Sequence, residues 1–248
     1  MEQQPVSNRP FSVPPVGSQG YGSASISIEN ARFMSRVYGW MTAGLCLTGA
    51  VAWNVADNPD AVRAIFGNRL AFWALIIAQF GLVMVISGLI NRISSTVATL
   101  LYFVYAALTG LTFSAIFLAY TGSSIAQVFG ITAFSFAGLS VFGLVTKRDL
   151  GPVGSFCVMG LFGLVGFYLL SAFFPSLMSG GAVFVTSIIG IIIFAGLTAY
   201  DTQRIKNMNI AGMNGDVQRK GAIQGALMLY LDFINLFLSL LRLTGRRR

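Results

Sequence analysis

The sequence predicts an all-α integral membrane protein with seven transmembrane helices in one bundle, and three observations carry that reading. The 248 residues are 55% hydrophobic and only 10% charged, with a mean hydropathy of +0.75, too apolar for an ordinary soluble domain. Apolar residues gather into seven stretches, each about the ~20 residues that a bilayer requires. The links between them are short, so residues 31–248 read as one transmembrane domain with no loop large enough to house separate chemistry.

Residues 1–30 come first and hold four of the seven prolines, Pro5, Pro10, Pro14 and Pro15, among Ser, Gly and Gln. Such a segment buries too little apolar area to order itself and is expected to be a disordered tail. It contains no run resembling a signal-peptide core, so the first membrane helix is expected to act as the targeting signal. The seven stretches follow at 37–55, 70–90, 97–119, 125–145, 153–174, 182–200 and 222–243. Asp57-Asn58-Pro59-Asp60, the polar run 147–152 and Pro175 mark breaks between spans. No proline falls inside a stretch, so proline kinks are not expected.

A net charge of +8 would suggest nucleic acid in a soluble protein, but here the basic residues sit at span ends and are topology signals. The bilayer, not nucleic acid, is the expected partner. With seven spans, nine Lys and Arg collect on one side (Arg32, Arg36, Arg92, Lys147, Arg148, Arg204, Lys206, Arg219, Lys220) against six on the other. This places the amino terminus in the cytoplasm. Four of the six opposing charges, Arg242 and Arg246 to Arg248, are carboxyl-terminal, and a re-entrant last segment would make the count thirteen to two. The length of the last stretch favours seven full spans. Cys46 and Cys157 lie in different apolar segments, where packing is the expected role.

The last stretch carries an aspartate, Asp232, in its middle. A carboxylate at the centre of a membrane helix costs roughly 2.5 to 3.5 kcal/mol on insertion scales, so it should face the protein interior or a water-filled path. Steps of three and four place Gly221, Gly225, Met228, Asp232, Asn235, Ser239 and Arg242 on one face. Met228, Asn235 and Ser239 are therefore candidate pore-lining residues, against the alternative that the stripe serves helix packing. Asp201, in Tyr200-Asp201-Thr202-Gln203-Arg204, is the second acid, at the end of the sixth stretch. It is expected near the cytoplasmic surface with Asp232 roughly 10 to 16 Å deeper, so the two meet only if tilt or a vestibule closes the gap. The alternative for Asp201 is a solvated helix end beside Arg204. Arg92, after the second stretch, is either a counter-ion or an ordinary positive-inside anchor. Tyr102, Tyr105, Thr109 and Thr112 share a face of the third stretch, where bonding between helices is favoured over lining a polar path.

Several enzyme classes fall away. With no histidine there is no Ser-His proteolysis and no histidine-ligated metal or haem, and no lysine lies inside a stretch to form a Schiff base. Tyr200-Asp201 and Asp232 resemble the paired acids of intramembrane aspartyl proteases. Those enzymes place Gly-x-Gly before the second aspartate, however, where this chain has Leu229-Tyr230-Leu231. The chain is read as a non-enzyme with no cofactor.

Tyr200-Asp201-Thr202-Gln203 and Leu229-Tyr230-Leu231-Asp232-Phe233-Ile234-Asn235-Leu236-Phe237 resemble the two best-marked segments of the Bax inhibitor-1 family, and the order of spans from about Arg32 to Arg242 agrees. The resemblance implies a seven-helix bundle with the C-terminal helix central, and a pH-sensitive calcium leak gated by an aspartate pair. Asp201 and Asp232 stand at that pair and Arg92 at the basic residue that latches it. The compact size and short loops look like bacterial members, which implies a bacterial inner membrane. Chemically, two partly desolvated carboxyls close together would share one proton near neutral pH and repel once both ionise. Asp201, Asp232 and the amide oxygen of Asn235 would offer calcium, the expected transported ion, a weak transient site. The reading of another class is a non-conducting partner of other membrane proteins, in which the aspartates hold the fold together.

Overall fold

A computed structural model describes residues 23–208 and 215–248. Their order is α1 (Ser23–Ala56), α2 (Pro59–Phe66), α3 (Arg69–Leu89), α4 (Ser95–Ala119), α5 (Gly122–Val145), α6 (Gly151–Phe173), a 3-10 turn (Pro175–Leu177), α7 (Gly180–Lys206) and α8 (Gly215–Thr244). The architecture among these residues is all-helical apart from one isolated β-bridge, Tyr120 to Arg247. α3 to α8 are the six helices long and apolar enough to cross a membrane. Their outward faces are apolar, with Phe80, Phe134, Phe162 and Phe173 all exposed, as a lipid-facing surface requires.

Local chemistry sets the helix ends. Asn58 caps α2 by accepting from the backbone N–H of Asp60 and Ala61 at 3.0 and 3.2 Å, with Pro59 pre-set for the first turn. Asn68, Ser94, Thr121 and Ser179 cap α3, α4, α5 and α7 in the same way. Two features depart from the sequence expectation. α2 occupies what was read only as a link, because eight residues are too few to register as a span. α1 begins at Ser23, inside the segment expected as a tail; residues 23–32 contain no proline or glycine to stop a helix. The rest of that segment, residues 1–22, lies outside the described residues.

α1, the counterpart of the first predicted stretch, is not among the six apolar helices because its glycines and polar residues lower its hydropathy, and some of them, Gly44 and Thr48 above all, serve contacts with other helices. Gly44 lies against the Tyr102 hydroxyl, which donates to the Trp40 carbonyl at 3.0 Å. Thr48 joins three helices: its hydroxyl lies 3.0 Å from the Gly44 carbonyl, 2.9 Å from the Ala106 carbonyl of α4 and 2.7 Å from the Tyr230 hydroxyl of α8. Since the Thr48 proton serves a carbonyl, Tyr230 donates to Thr48. Tyr230→Phe should therefore cost about 1 kcal/mol in reversible unfolding of the reconstituted protein, in the range of buried hydrogen bonds between membrane helices.

The same contacts fix direction. Arg36 of α1 reaches Gln218 of α8 at 3.4 Å, and Asp216 of α8 accepts from the backbone N–H of Ser95, at the start of α4, at 3.3 Å. At the far end, the backbone N–H of Arg248 donates to Ala119 at 3.0 Å and that of Arg246 to Ser124 at 2.9 Å. α1, α4 and α8 thus run parallel, and the two ends of α8 lie at opposite ends of the bundle. α8 packs against α1, α4, α5 and α7, α6 chiefly against α7, and α3 chiefly against α4. Cys46 and Cys157 are both free thiols.

Candidate functional site

α7 and α8 are antiparallel neighbours, and their register follows from two close approaches. A Cβ at Gly190 would lie 2.5 Å from the Ser239 hydroxyl, and one at Gly225 would lie 3.2 Å from Ile205 Cγ2. Position 201 of α7 is therefore level with about position 228 of α8, and Asp232 stands only one turn further along, roughly 6 Å. The expected gap of 10 Å or more closes because α7 does not end at Tyr200. It runs on to Lys206, so Asp201 lies more than one turn inside the helix rather than at its mouth. The two carboxyls are therefore near enough to act on one another. Two carboxylates set close together away from water would repel, so the arrangement suits a pair that holds one proton between its members.

The surroundings of the pair are unequal. Asp232 is only 4% exposed and its Oδ2 has no hydrogen-bond partner, whereas Asp201 is half-buried. Both open onto a cavity of about 920 Å³ bounded by α3, α4, α6, α7 and α8. Tyr200 is held against α6 by a missing side chain: a Cβ at Gly154 would lie 2.5 Å from its ring. A Cβ at Gly143 of α5 would run into the carbonyl of Ala199 and lie 3.1 Å from Thr202 Cβ, so the helix bearing Asp201 is clasped from two sides.

The other predicted residues divide. Met228 and Asn235 line the large cavity, while Ser239 lines a smaller one of about 130 Å³ beside Tyr168 and Arg242, which Asn235 also reaches. Asn235 donates its amide to the Leu231 carbonyl at 2.8 Å, and Ser239 its hydroxyl to Asn235 at 2.8 Å, so both are satisfied within α8. From the α4 stripe, Tyr105 and Thr109 face the cavity, with the Thr109 hydroxyl 3.4 Å from Oε1 of Gln79 and 2.9 Å from the Tyr105 carbonyl. Tyr102 faces α1 and Thr112 bonds back to Thr109 at 2.8 Å. Arg92 is exposed in the turn between α3 and α4 and is not brought to the pair. Among the described residues the one ion pair is Lys220 with Asp216, at 3.0 Å. The cation beside the pair is Arg204, one turn beyond Asp201 and on the cavity wall. Its spacing of three from Asp201 was legible, but suggested a solvated helix end rather than a site.

The pattern of a known family, described as inhibitor of apoptosis-promoting Bax1, matches residues 30–248. The chain belongs to the Bax inhibitor-1 family. Bacterial relatives agree along nearly the whole length. Inner membrane protein YbhL of Escherichia coli K12 is 48% identical over 218 residues, covering 87% of this chain and 92% of the relative. An uncharacterized protein of Borreliella burgdorferi is 46% identical over 224 residues, covering 90% and 95%. One from Deinococcus radiodurans is 43% identical over 215 residues, covering 87% and 90%. Membership in the Bax inhibitor-1 family and the six apolar helices together make this an integral membrane protein.

Proposed function

We propose that the protein is a pH-sensitive calcium leak channel of the bacterial inner membrane, gated by protonation of the Asp201–Asp232 pair. The observation that carries the reading is the approach of two carboxyls of neighbouring helices on one cavity wall, set by the register of α7 on α8. A shared proton ties α7 to α8; once it leaves, two like charges stand in a poorly hydrated space and push the helices apart. The cargo is a hard cation that takes oxygen ligands, and ionised Asp201 and Asp232 supply them. Among the described residues no group of three or more His, Cys, Asp or Glu gathers anywhere, so the pair would hold calcium weakly, as conduction demands. The test is reconstitution in liposomes loaded with a calcium dye. Flux above that of empty vesicles, changing between about pH 6 and 8, supports the leak; no flux at any pH favours a non-conducting interaction protein.

The reading takes α1 as the first of seven spans and α8 as the central helix. α8 supports this as an unbroken helix of 30 residues, about 45 Å long, that touches four others. With the amino terminus cytoplasmic, a reporter fused after Arg248 should appear on the opposite side of the membrane from one at the amino terminus. Reporters on one side would mean a re-entrant α8.

The latch is the second question. Arg204 stands beside the pair, whereas a latch through Arg92 needs the α3–α4 turn to close over it. Removing a cation next to a carboxyl pair makes its proton harder to lose, so Arg204→Ala should move the midpoint of the flux profile to higher pH by about one unit or more. Arg92→Ala should move it less. A larger shift from Arg92→Ala would return the latch to Arg92.

A further inference from the structure

The large cavity lies between α3 and α6, the two least buried of the six apolar helices, which pack mainly on α4 and α7 rather than on each other. Its outer rim is apolar, with Phe80 of α3 and Met159 and Phe162 of α6 exposed on the outer face of the apolar helices, where acyl chains would lie. Its inner wall carries Asp201, Asp232 and Asn235. A volume of about 920 Å³ is that of a small-molecule site. We propose that this cavity is a lateral binding site for an amphiphile with a primary ammonium group, the apolar chain lying between α3 and α6 and the ammonium on the aspartate pair.

The unpartnered Oδ2 of Asp232, on a side chain only 4% exposed, is an acceptor waiting for a donor inside an apolar slot. A primary ammonium brings three N–H donors and a positive charge. It can bridge both carboxylates, taking the place of the proton they share, which passes to solvent. Arg204 then balances the second negative charge. An alcohol brings one donor and no charge, and a fatty acid would add a third carboxylate. The other groups facing this point carry no further cation: Tyr105 comes from α4, Tyr200 from α7, Cys157 from α6 and Gln79 from α3.

The site is shared with the proposed leak, but binding does not require conduction, so the two can fail separately. The experiment uses the full chain in nanodiscs of zwitterionic phospholipid and a dodecylamine carrying a photoreactive group at its chain end, with labelled residues mapped by mass spectrometry. Labels are expected on the cavity faces of α3 and α6. Excess dodecylamine should remove them, and equal dodecanol or laurate should not. Asp232→Asn should reduce labelling at least about tenfold, as loss of a buried charge partner does. Met159→Trp, which narrows the mouth at a lipid-facing position and leaves the acids in place, should also reduce it and decides the matter if Asp232→Asn does not fold. Labels spread evenly over all lipid-facing helices, or removed as readily by dodecanol, would overturn the proposal. Selective labelling without calcium flux would leave the site standing and sink the leak.

Discussion

Asp201→Asn and Asp232→Asn should each abolish the pH dependence of calcium flux, and the double mutant should behave much like either single one. The expectation rests on one shared proton: removing either carboxyl leaves no pair to protonate and no like-charge repulsion to open it. Residues that act as a unit give non-additive effects, whereas two independent sites would each remove part of the response and add. Asparagine keeps the shape of aspartate and removes a charge from the membrane interior, so the variants should fold, and unfolding measured in parallel checks this. Single mutants that fold and keep the wild-type profile would show that the aspartates are not the sensor.

Gly143→Val should cost about 3 kcal/mol of stability, the upper part of the range for overpacking, and should flatten the pH response as well. A Cβ at Gly143 would run into the backbone carbonyl of Ala199, which cannot swing away as a side chain can, and into Thr202. These residues flank Asp201, so α7 must move off α5 and carry the acid with it. Gly138 of the same helix provides the control. Nothing lies within 4 Å of a Cβ there, so Gly138→Val should fall within about 0.5 kcal/mol of wild type. Equal losses from both variants would mean that valine harms α5 itself and that the clasp on α7 is unimportant.

What could be read from the sequence was whatever depends on composition and spacing along one helix. Six of the stretches reappear as the apolar helices, and the stripe through Met228, Asp232 and Asn235 faces one cavity because steps of three and four return to one side of a helix. Features that depend on two helices were hidden. The apolar run stops at Tyr200, but hydropathy reports where lipid contact ends and hydrogen bonding continues α7 to Lys206. That extension, with the register set by Gly190 on Ser239 and Gly225 on Ile205, brings Asp201 to Asp232. Arg204 and Arg92 look alike as charges at the ends of spans. Only the placement of α7 against the cavity separates them. The cavity itself arises where α3 and α6 leave a gap, and no single stretch records a gap.

The claim at the centre of this account is that Asp201 and Asp232 hold one proton between them, and infrared spectroscopy of the protein reconstituted in lipid reads it directly. A protonated carboxyl band should be present at neutral pH, disappear over the same pH range in which flux changes, and be lost or displaced in both Asp201→Asn and Asp232→Asn. A spectrum with no such band at neutral pH, or with one that either substitution leaves untouched, would contradict the account.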